Sequence, residues 1–388
     1  MKVAPLQQVA TVSSPKLVSR HFRHKRRTVQ SGSRFPLSDL NGLLTGGELA
    51  GLVATCLAAV IVSNASRATT SSVDSLEQVR KPAAKVRRPV DLDWGACSDI
   101  GPRDYMEDAY QVVKGPDHFF AAVYDGHGGC GSSTYLRSNF YKFVSAMLGK
   151  NRKLLSDETT TDDEMNTIFE KSMSEVFMAA DSALIDYIAT LGDPECWSGS
   201  TATVCVVNSS LLMCANVGDS RAVLCRSGKP VDISADHRPT TSSSCGRCEI
   251  KRINQAGGWI SQSRVCGILA VTRAFGDYEF KGGRYELLEE LKDSSDILAM
   301  KASMEGPPVI SLPHCFTIPR STEDEFIILA SDGLWDTMNS AQAVTFVRSE
   351  LKKDPSKSMQ DIADALIARA LRCRTQDNVV CIVVKLSR

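Results

Sequence analysis

From about residue 92 onward, short apolar runs alternate with clusters of turn residues. The runs fall at Leu92–Ser98, Phe119–Tyr124, Thr203–Val207, Leu211–Val217, Ala222–Arg226, Phe326–Leu329 and Val379–Leu386. Their length and closeness predict an antiparallel β architecture rather than repeated β-α-β units. Two regions change period. Glu164–Leu191 carries Ile168, Phe169, Ser172, Val176, Ala180, Leu184, Tyr187 and Ile188 mostly at steps of three and four, and a C-terminal pair covers about Ala341–Lys352 and Met359–Ala370. These stripes predict core-facing helices.

The ends of the apolar runs collect acids. Phe119–Tyr124 leads into Asp125-Gly126-His127-Gly128, Phe326–Ser331 into Asp332-Gly333-Leu334-Trp335-Asp336, and Leu211–Val217 into Gly218-Asp219-Ser220-Arg221, whereas Asp377 precedes its run. A lone Asp-Gly is ordinarily a turn. If all four sites share one edge, the last strand must run antiparallel to the others. Carboxylates gathered in this way repel one another unless cations neutralise them. With no His or Cys placed directly beside the acids, oxygen ligands favour Mg²⁺ or Mn²⁺ over Zn²⁺ or copper. Upstream, Arg103 precedes a Glu107-Asp108 pair by four residues and offers a planar fork for phosphate oxygens.

Taken in order, GPRDYMED, VYDGHGG, SGSTATV, VGDSRAVL, DHRP, GILAVTRAFGD, ILASDGLWD and TQDNVV resemble the metal-dependent protein serine/threonine phosphatases of the 2C type over about Asp93–Ser387. Lys251–Ile260, Arg264–Lys281 and Glu325–Asp336 look most like the plant thylakoid-associated member that acts on light-harvesting complex II. The chain departs from that member in ending at Arg388 where the other looks to carry a hydrophobic anchor, and Thr272 stands where the family usually has serine. The resemblance implies an α+β fold of two packed antiparallel β-sheets flanked by helices, with a flap at about 238–280. It also implies two divalent cations. Asp125 would bridge them, Glu107 and the Gly126 carbonyl would complete one shell, and Asp332 and Asp377 would hold the other. Water held between the cations would attack phosphorus, Arg103 would grip the phosphate and His127 would protonate the leaving alkoxide, which needs the proton because its pKa is high. Asp219, with Asp332 and Asp336, matches the positions of a third, weaker cation site in some relatives. Asp108 is read as an acceptor orienting the ligands or their waters.

Charge is unevenly placed along this neutral chain of 388 residues: residues 1–90 hold 14 Lys and Arg against 4 Asp and Glu, and the remainder 31 against 41. The acidic portion disfavours nucleic acid as partner or substrate. The first 38 residues contain no acid and many Ser and Thr, the composition of an organellar transit peptide or of a basic tail. Leader (1–45), short apolar segment (46–65), linker (66–92) and catalytic domain (93–388) are the expected divisions. Leu49–Val62 is short of the ~20 residues a spanning helix needs, and reads as a membrane anchor, part of a targeting signal or a short buried helix. Together with the thylakoid resemblance, these features lead us to expect a chloroplast protein of the stroma or stromal thylakoid face, a monomer acting on phosphoproteins such as light-harvesting subunits.

Thirteen cysteines scattered through strand-like runs suggest reduced, packed thiols. Cys245-Gly246-Arg247-Cys248 stands apart: the arginine would lower a thiolate pKa and favour a regulatory disulfide, the alternative being two inert thiols. His237 reads as fixing the start of a loop, and His118 and His314 have no motif around them. Two alternatives to an active phosphatase are a phosphoprotein-binding pseudophosphatase, which loss of a metal acid would favour though none is lost, and a hydrolase of nucleic acid or small phosphate esters.

Overall fold

Six residues, Phe119–Tyr124, show how the architecture follows from alternation. All are buried. Phe119, Ala121 and Val123 face one side of the strand and Phe120, Ala122 and Tyr124 the other, and the two sets enter different apolar clusters. A strand covered on both faces belongs to an inner layer.

The structure, a computed structural model, describes residues 90–156 and 161–386. The leader, the apolar segment and all but the end of the linker lie outside the described residues. Strands β1 (Trp94–Asp99), β2 (Ala109–Lys114), β3 (Phe119–Tyr124) and β4 (Gly126–His127) precede two long helices, α1 (Gly131–Ser156) and α2 (Asp162–Ile188). Next come β5 (Gly199–Ser200), β6 (Ala202–Val207), β7 (Leu211–Val217), β8 (Arg221–Arg226) and β9 (Lys229–Asp232). An excursion follows, containing α3 (Ser244–Gln255), β10 (Ile260–Ser261), β11 (Arg264–Val265), β12 (Phe275–Gly276) and α4 (Arg284–Asp293). The chain closes with β13 (His314–Pro319), β14 (Asp324–Ala330), the one-turn α5 (Asp332–Trp335), α6 (Ser340–Lys353), α7 (Met359–Arg372) and β15 (Val379–Lys385).

Two five-stranded antiparallel sheets form, in the orders β13-β7-β6-β3-β2 and β1-β15-β14-β8-β9. Between them lies a core that mixes Phe119, Val123 and Leu212 of the first with Leu224, Leu329 and Ile382 of the second. The outer face of the first sheet packs on α1 and α2 through Phe120, Phe140, Phe169 and Phe177. That of the second packs on α6 and α7 through Ile328, Val344, Ile362 and Val383. The expected fold, two antiparallel sheets flanked by helices, is therefore found, and β15 runs antiparallel to β14 with Ala330 opposite Cys381. Side-chain caps set the helix starts: Thr161, Asn339 and Ser358 each accept from the backbone N–H three residues on and are paired reciprocally by Glu164, Gln342 and Asp361.

The excursion has its own apolar cluster, including Ile253, Trp259, Leu287, Leu288 and Met304. It thus extends past the expected flap, and α4 packs into it through its buried Leu287 and Leu288. Among the described residues no helix is long and apolar enough to cross a membrane.

Candidate metal and phosphate site

The acids meet where the inner strands end. Asp125 follows β3 and Asp219 follows β7 by two residues, both in the first sheet; Asp332 follows β14 and Asp377 precedes β15 in the second. Carboxylate oxygens of Asp125, Asp219 and Asp332 lie within 4.8 Å of one another. Backbone pairing fixes their bases. Asp125 N–H donates to Thr201 Oγ1 (3.1 Å) and its carbonyl accepts from Thr201 N–H (2.8 Å), and Thr201 Oγ1 lies 2.8 Å from Ser220 Oγ, beside Asp219. Ser331 Oγ accepts from Val380 N–H (2.9 Å), tying the Asp332 turn to β15.

Asn378 clamps the Arg103–Asp108 loop onto this edge: its Nδ2 donates to the carbonyls of Ile100 (2.8 Å) and Tyr105 (3.0 Å), and its Oδ1 accepts from Glu107 N–H (2.8 Å). The loop approaches so closely that a Cβ on Gly126 would lie 2.3 Å from the Glu107 carbonyl oxygen, and one on Gly333 would lie 2.0 Å from that of Asn378. Glycine is needed at both places for want of space. Glu107 Oε1 accepts from Gly129 N–H (2.6 Å).

Electrostatically the cluster is frustrated. Burial, and then the charges of Asp108, Asp332, Asp219 and Asp377, hold Asp125 well above the ordinary carboxylate range. Burial with the charges of Asp219 and Asp336 pushes Asp332 up to about 8, and burial raises Asp108 to about 7. Asp108 Oδ2 is buried with no hydrogen-bond partner. Crowded oxygen donors with an orphaned acceptor among them fit hard divalent cations. Asp125, Asp219 and Asp332 would hold them, with Glu107, Asp108, Asp336 and Asp377 at the margin.

Two arginines reach into this field. Arg103, half-exposed, pairs with Asp377 (2.6 Å) and donates to the Gln376 carbonyl (2.9 Å). Arg238, from the loop after β9, bonds Asp219 (2.6 Å), Asp332 (2.9 Å) and Asp336 (3.0 Å) at once. Burial raises Asp219 against the pull of Arg238. In the sequence Arg238 is marked only as part of DHRP; a Coulomb partner 94 residues from Asp332 leaves no local trace.

His127 was expected at the site, but its fixing partner was not. β5 pairs with both β4 and β12, placing Gly199 opposite His127 and Gly276. Asp277, next after Gly276, accepts from His127 Nε2 at 2.9 and 3.0 Å. Burial alone would lower the imidazole pKa, yet the charge and hydrogen bond of Asp277 raise it. Asp277 is buried and adopts φ 48°, a left-handed conformation unusual for a non-glycine residue.

The remaining candidates lie apart. Cys245 and Cys248 sit on α3 with free thiols. The lowering expected from Arg247 is not seen: burial and then Glu249 push the Cys245 thiol up to about 12, and Arg247 instead bonds the Thr241 carbonyl (2.8 Å). Thr272 keeps the role of a hydroxyl donor, reaching Glu249 Oε2 at 2.9 Å. His118 bridges Asp117 (2.9 Å) and Tyr141 (3.0 Å).

A carboxylate cluster able to hold cations at one end of a double-sheet sandwich, with Arg103 and the acid-paired His127 beside it, is an arrangement suited to metal-dependent phosphate chemistry. Comparison with known proteins narrows the class. The family model of protein phosphatase 2C matches residues 104–379. Protein phosphatase 2C 57 of Arabidopsis thaliana is 37% identical over 302 residues, which is 76% of this chain and 76% of that protein. Probable protein phosphatase 2C 2 of Oryza sativa subsp. japonica is 32% identical over 324 residues, 79% of this chain and 74% of that one. A solved serine-threonine phosphatase 2C from Toxoplasma gondii shares the fold with TM-score 0.59 at 20% identity, covering 77% of this chain and 96% of that one. A C. elegans sex determining protein does so with TM-score 0.57 at 18% identity, covering 87% and 73%. The chain belongs to the protein phosphatase 2C family and is a protein serine/threonine phosphatase that uses divalent metal.

Proposed function

We propose that the protein removes phosphate from phosphoserine and phosphothreonine on plastid phosphoproteins at the thylakoid surface, light-harvesting subunits being the favoured class. The carboxylate cluster carries the catalytic half of this reading. When bound, divalent cations supply Lewis acidity, acidifying water and neutralising phosphoryl charge. Two are expected at Asp125, Glu107, the Gly126 carbonyl, Asp332 and Asp377, and a third, weaker one at Asp219, Asp332 and Asp336. The chain's own residues do the rest. Arg103 exchanges Asp377 for the phosphate oxygens, which its planar fork fits. Asp277 orients His127 and raises its pKa against the effect of burial, favouring the protonated form that can hand a proton to the departing seryl or threonyl oxygen.

The acid-free leader, the plant relatives and the resemblance to a thylakoid-associated phosphatase support the plastid address, and the basic residues Lys81, Lys85, Arg87 and Arg88 suit an anionic membrane surface. Fusing residues 1–90 to a fluorescent protein tests the address. Plastid fluorescence is expected, and cytosolic fluorescence removes the plastid substrate class while leaving the chemistry intact.

A further inference from the structure

Away from the carboxylates, three ligating side chains of a different kind converge. One ring nitrogen each of His237 and His314 and the Cys245 Sγ lie within 4.8 Å of one another. They come from three elements: the loop after β9, the first residue of β13 and the first turn of α3. The two rings stack, 5.1 Å between centroids and 9° between planes, with His237 Nε2 2.8 Å from His314 Nδ1. His237 is fully buried, and its Nδ1 has no hydrogen-bond partner. An unpaired buried polar atom of this kind is destabilising, and an apolar side chain of similar volume would avoid that cost.

We propose that His237, Cys245 and His314 bind a zinc ion that fastens the flap helix α3 to the edge strand β13, separate from the catalytic cations. Zinc takes imidazole nitrogen at ~2.0–2.1 Å and thiolate sulfur at ~2.3 Å, so its ligands stand roughly 3.3–3.8 Å apart, a distance that small rotations of these side chains reach. Imidazole and thiolate donors select zinc over the hard cations suited to the carboxylate cluster. On binding, the Cys245 thiol proton passes to solvent and a zinc–sulfur bond forms, while the imidazoles are already in the neutral, ligating form: burial and then Arg273 lower both, His314 to about 4. The cationic neighbours Arg252 and Arg273 are themselves paired with Glu249, at 3.0 and 2.7 Å, which leaves room for a divalent ion with one thiolate.

The placement gives the ion a purpose. His237 immediately precedes Arg238, which bonds Asp219 and Asp332. Zinc would therefore hold the segment that carries this arginine, setting how readily the flap exchanges Arg238 for cations at the carboxylates.

Cobalt spectroscopy separates the two kinds of site, because only a thiolate ligand gives a sulfur-to-cobalt charge-transfer band. The full chain, stripped by chelator and then given excess Mg²⁺ to fill the carboxylate site, is titrated with Co²⁺ and back-titrated with Zn²⁺. The expected result is a thiolate band with tetrahedral d–d absorption, saturating near one equivalent and displaced by Zn²⁺. Cys245→Ser and Cys245→Ala should each remove the band, His314→Gln should weaken binding roughly tenfold or more, and Cys373→Ser, on an exposed thiol, should change nothing. Hydrogen exchange across 244–255 should slow on adding Zn²⁺ to the wild type and not to the Cys245 variants. Absence of a thiolate band in the wild type, or a band that survives both Cys245 substitutions, overturns the proposal whatever the phosphatase activity shows.

Discussion

Two groups of buried or half-buried carboxylates in this protein are driven in opposite directions. At the strand ends, Asp125 and Asp332 are held up, by burial first and then by one another and their acidic neighbours. In the flap, burial would also raise Glu249, yet Arg273 and Arg252 outweigh it and hold the carboxyl well below its usual range. Glu249 is nearly saturated, taking Arg273 at 2.7 and 3.1 Å, Arg252 at 3.0 Å and the Thr272 hydroxyl at 2.9 Å. A carboxylate buried with its cations is a structural joint. Carboxylates buried chiefly with each other form an incomplete structure that cations from solution complete.

Substitution should separate the two groups most sharply through activity. Asp125→Asn is expected to lower phosphothreonine hydrolysis on the order of 10³-fold, since it removes charge from the cation site. In chelator it should leave the melting temperature unchanged or higher, because a repulsive charge has gone. A marked loss of stability together with retained turnover would place Asp125 among the structural acids. Glu249→Ala should do the reverse: removing one partner of a buried ion pair costs about 3–5 kcal/mol, read as a lowered urea midpoint in chelator and in Mn²⁺ alike. An unchanged midpoint would end the contrast.

His127 tests the boundary between chemistry and structure. His127→Gln should reduce turnover of a phosphothreonine peptide roughly 10²-fold while sparing p-nitrophenyl phosphate, whose phenolate leaves without a proton. Equal losses on both substrates would assign His127 to the cation shell. Asp277→Asn should give a milder form of the same split, with the alkaline limb of activity moving to lower pH as the imidazole loses the partner that raises its pKa.

The smallest effect is on the pH dependence of stability. A carboxylate whose folded pKa is depressed stabilises fully above its unfolded value, ~4.3, and that contribution fades as pH falls through the folded value. Acid unfolding of Glu249→Gln should therefore show a shallower loss below about pH 4.3 than the wild type. Parallel curves would mean that Glu249 is no better held folded than unfolded.

How much of this was legible in sequence follows from burial. The inner strands β3, β6, β7, β14 and β15 are largely apolar because both their faces are covered. Within the two five-stranded sheets, the strands outside the pattern, β2, β9 and β13, are all edges. Their residues are largely half-buried, and Pro230 and Pro319 lie in two of them, where an edge tolerates the missing donor. Helix α1 was missed although Leu136, Phe140, Val144 and Met147 keep its period, because it opens on Gly-Ser-Ser-Thr, a poor helix former. At the site, the acids announced themselves by position after apolar runs. Arg238, Asp277 and the pairing of His314 with His237 did not, since each depends on chain segments between 77 and 150 residues apart.

If the strand-end carboxylates form a divalent-cation site on which phosphatase activity depends, isothermal titration of chelator-stripped protein with Mn²⁺, run beside phosphothreonine hydrolysis on the same samples, will show it. Saturable binding to the wild type is expected, with activity that is absent in chelator and returns in step with occupancy, and loss of both in Asp125→Asn. Turnover that persists undiminished in chelator, or Mn²⁺ binding unaltered by Asp125→Asn, would contradict that dependence.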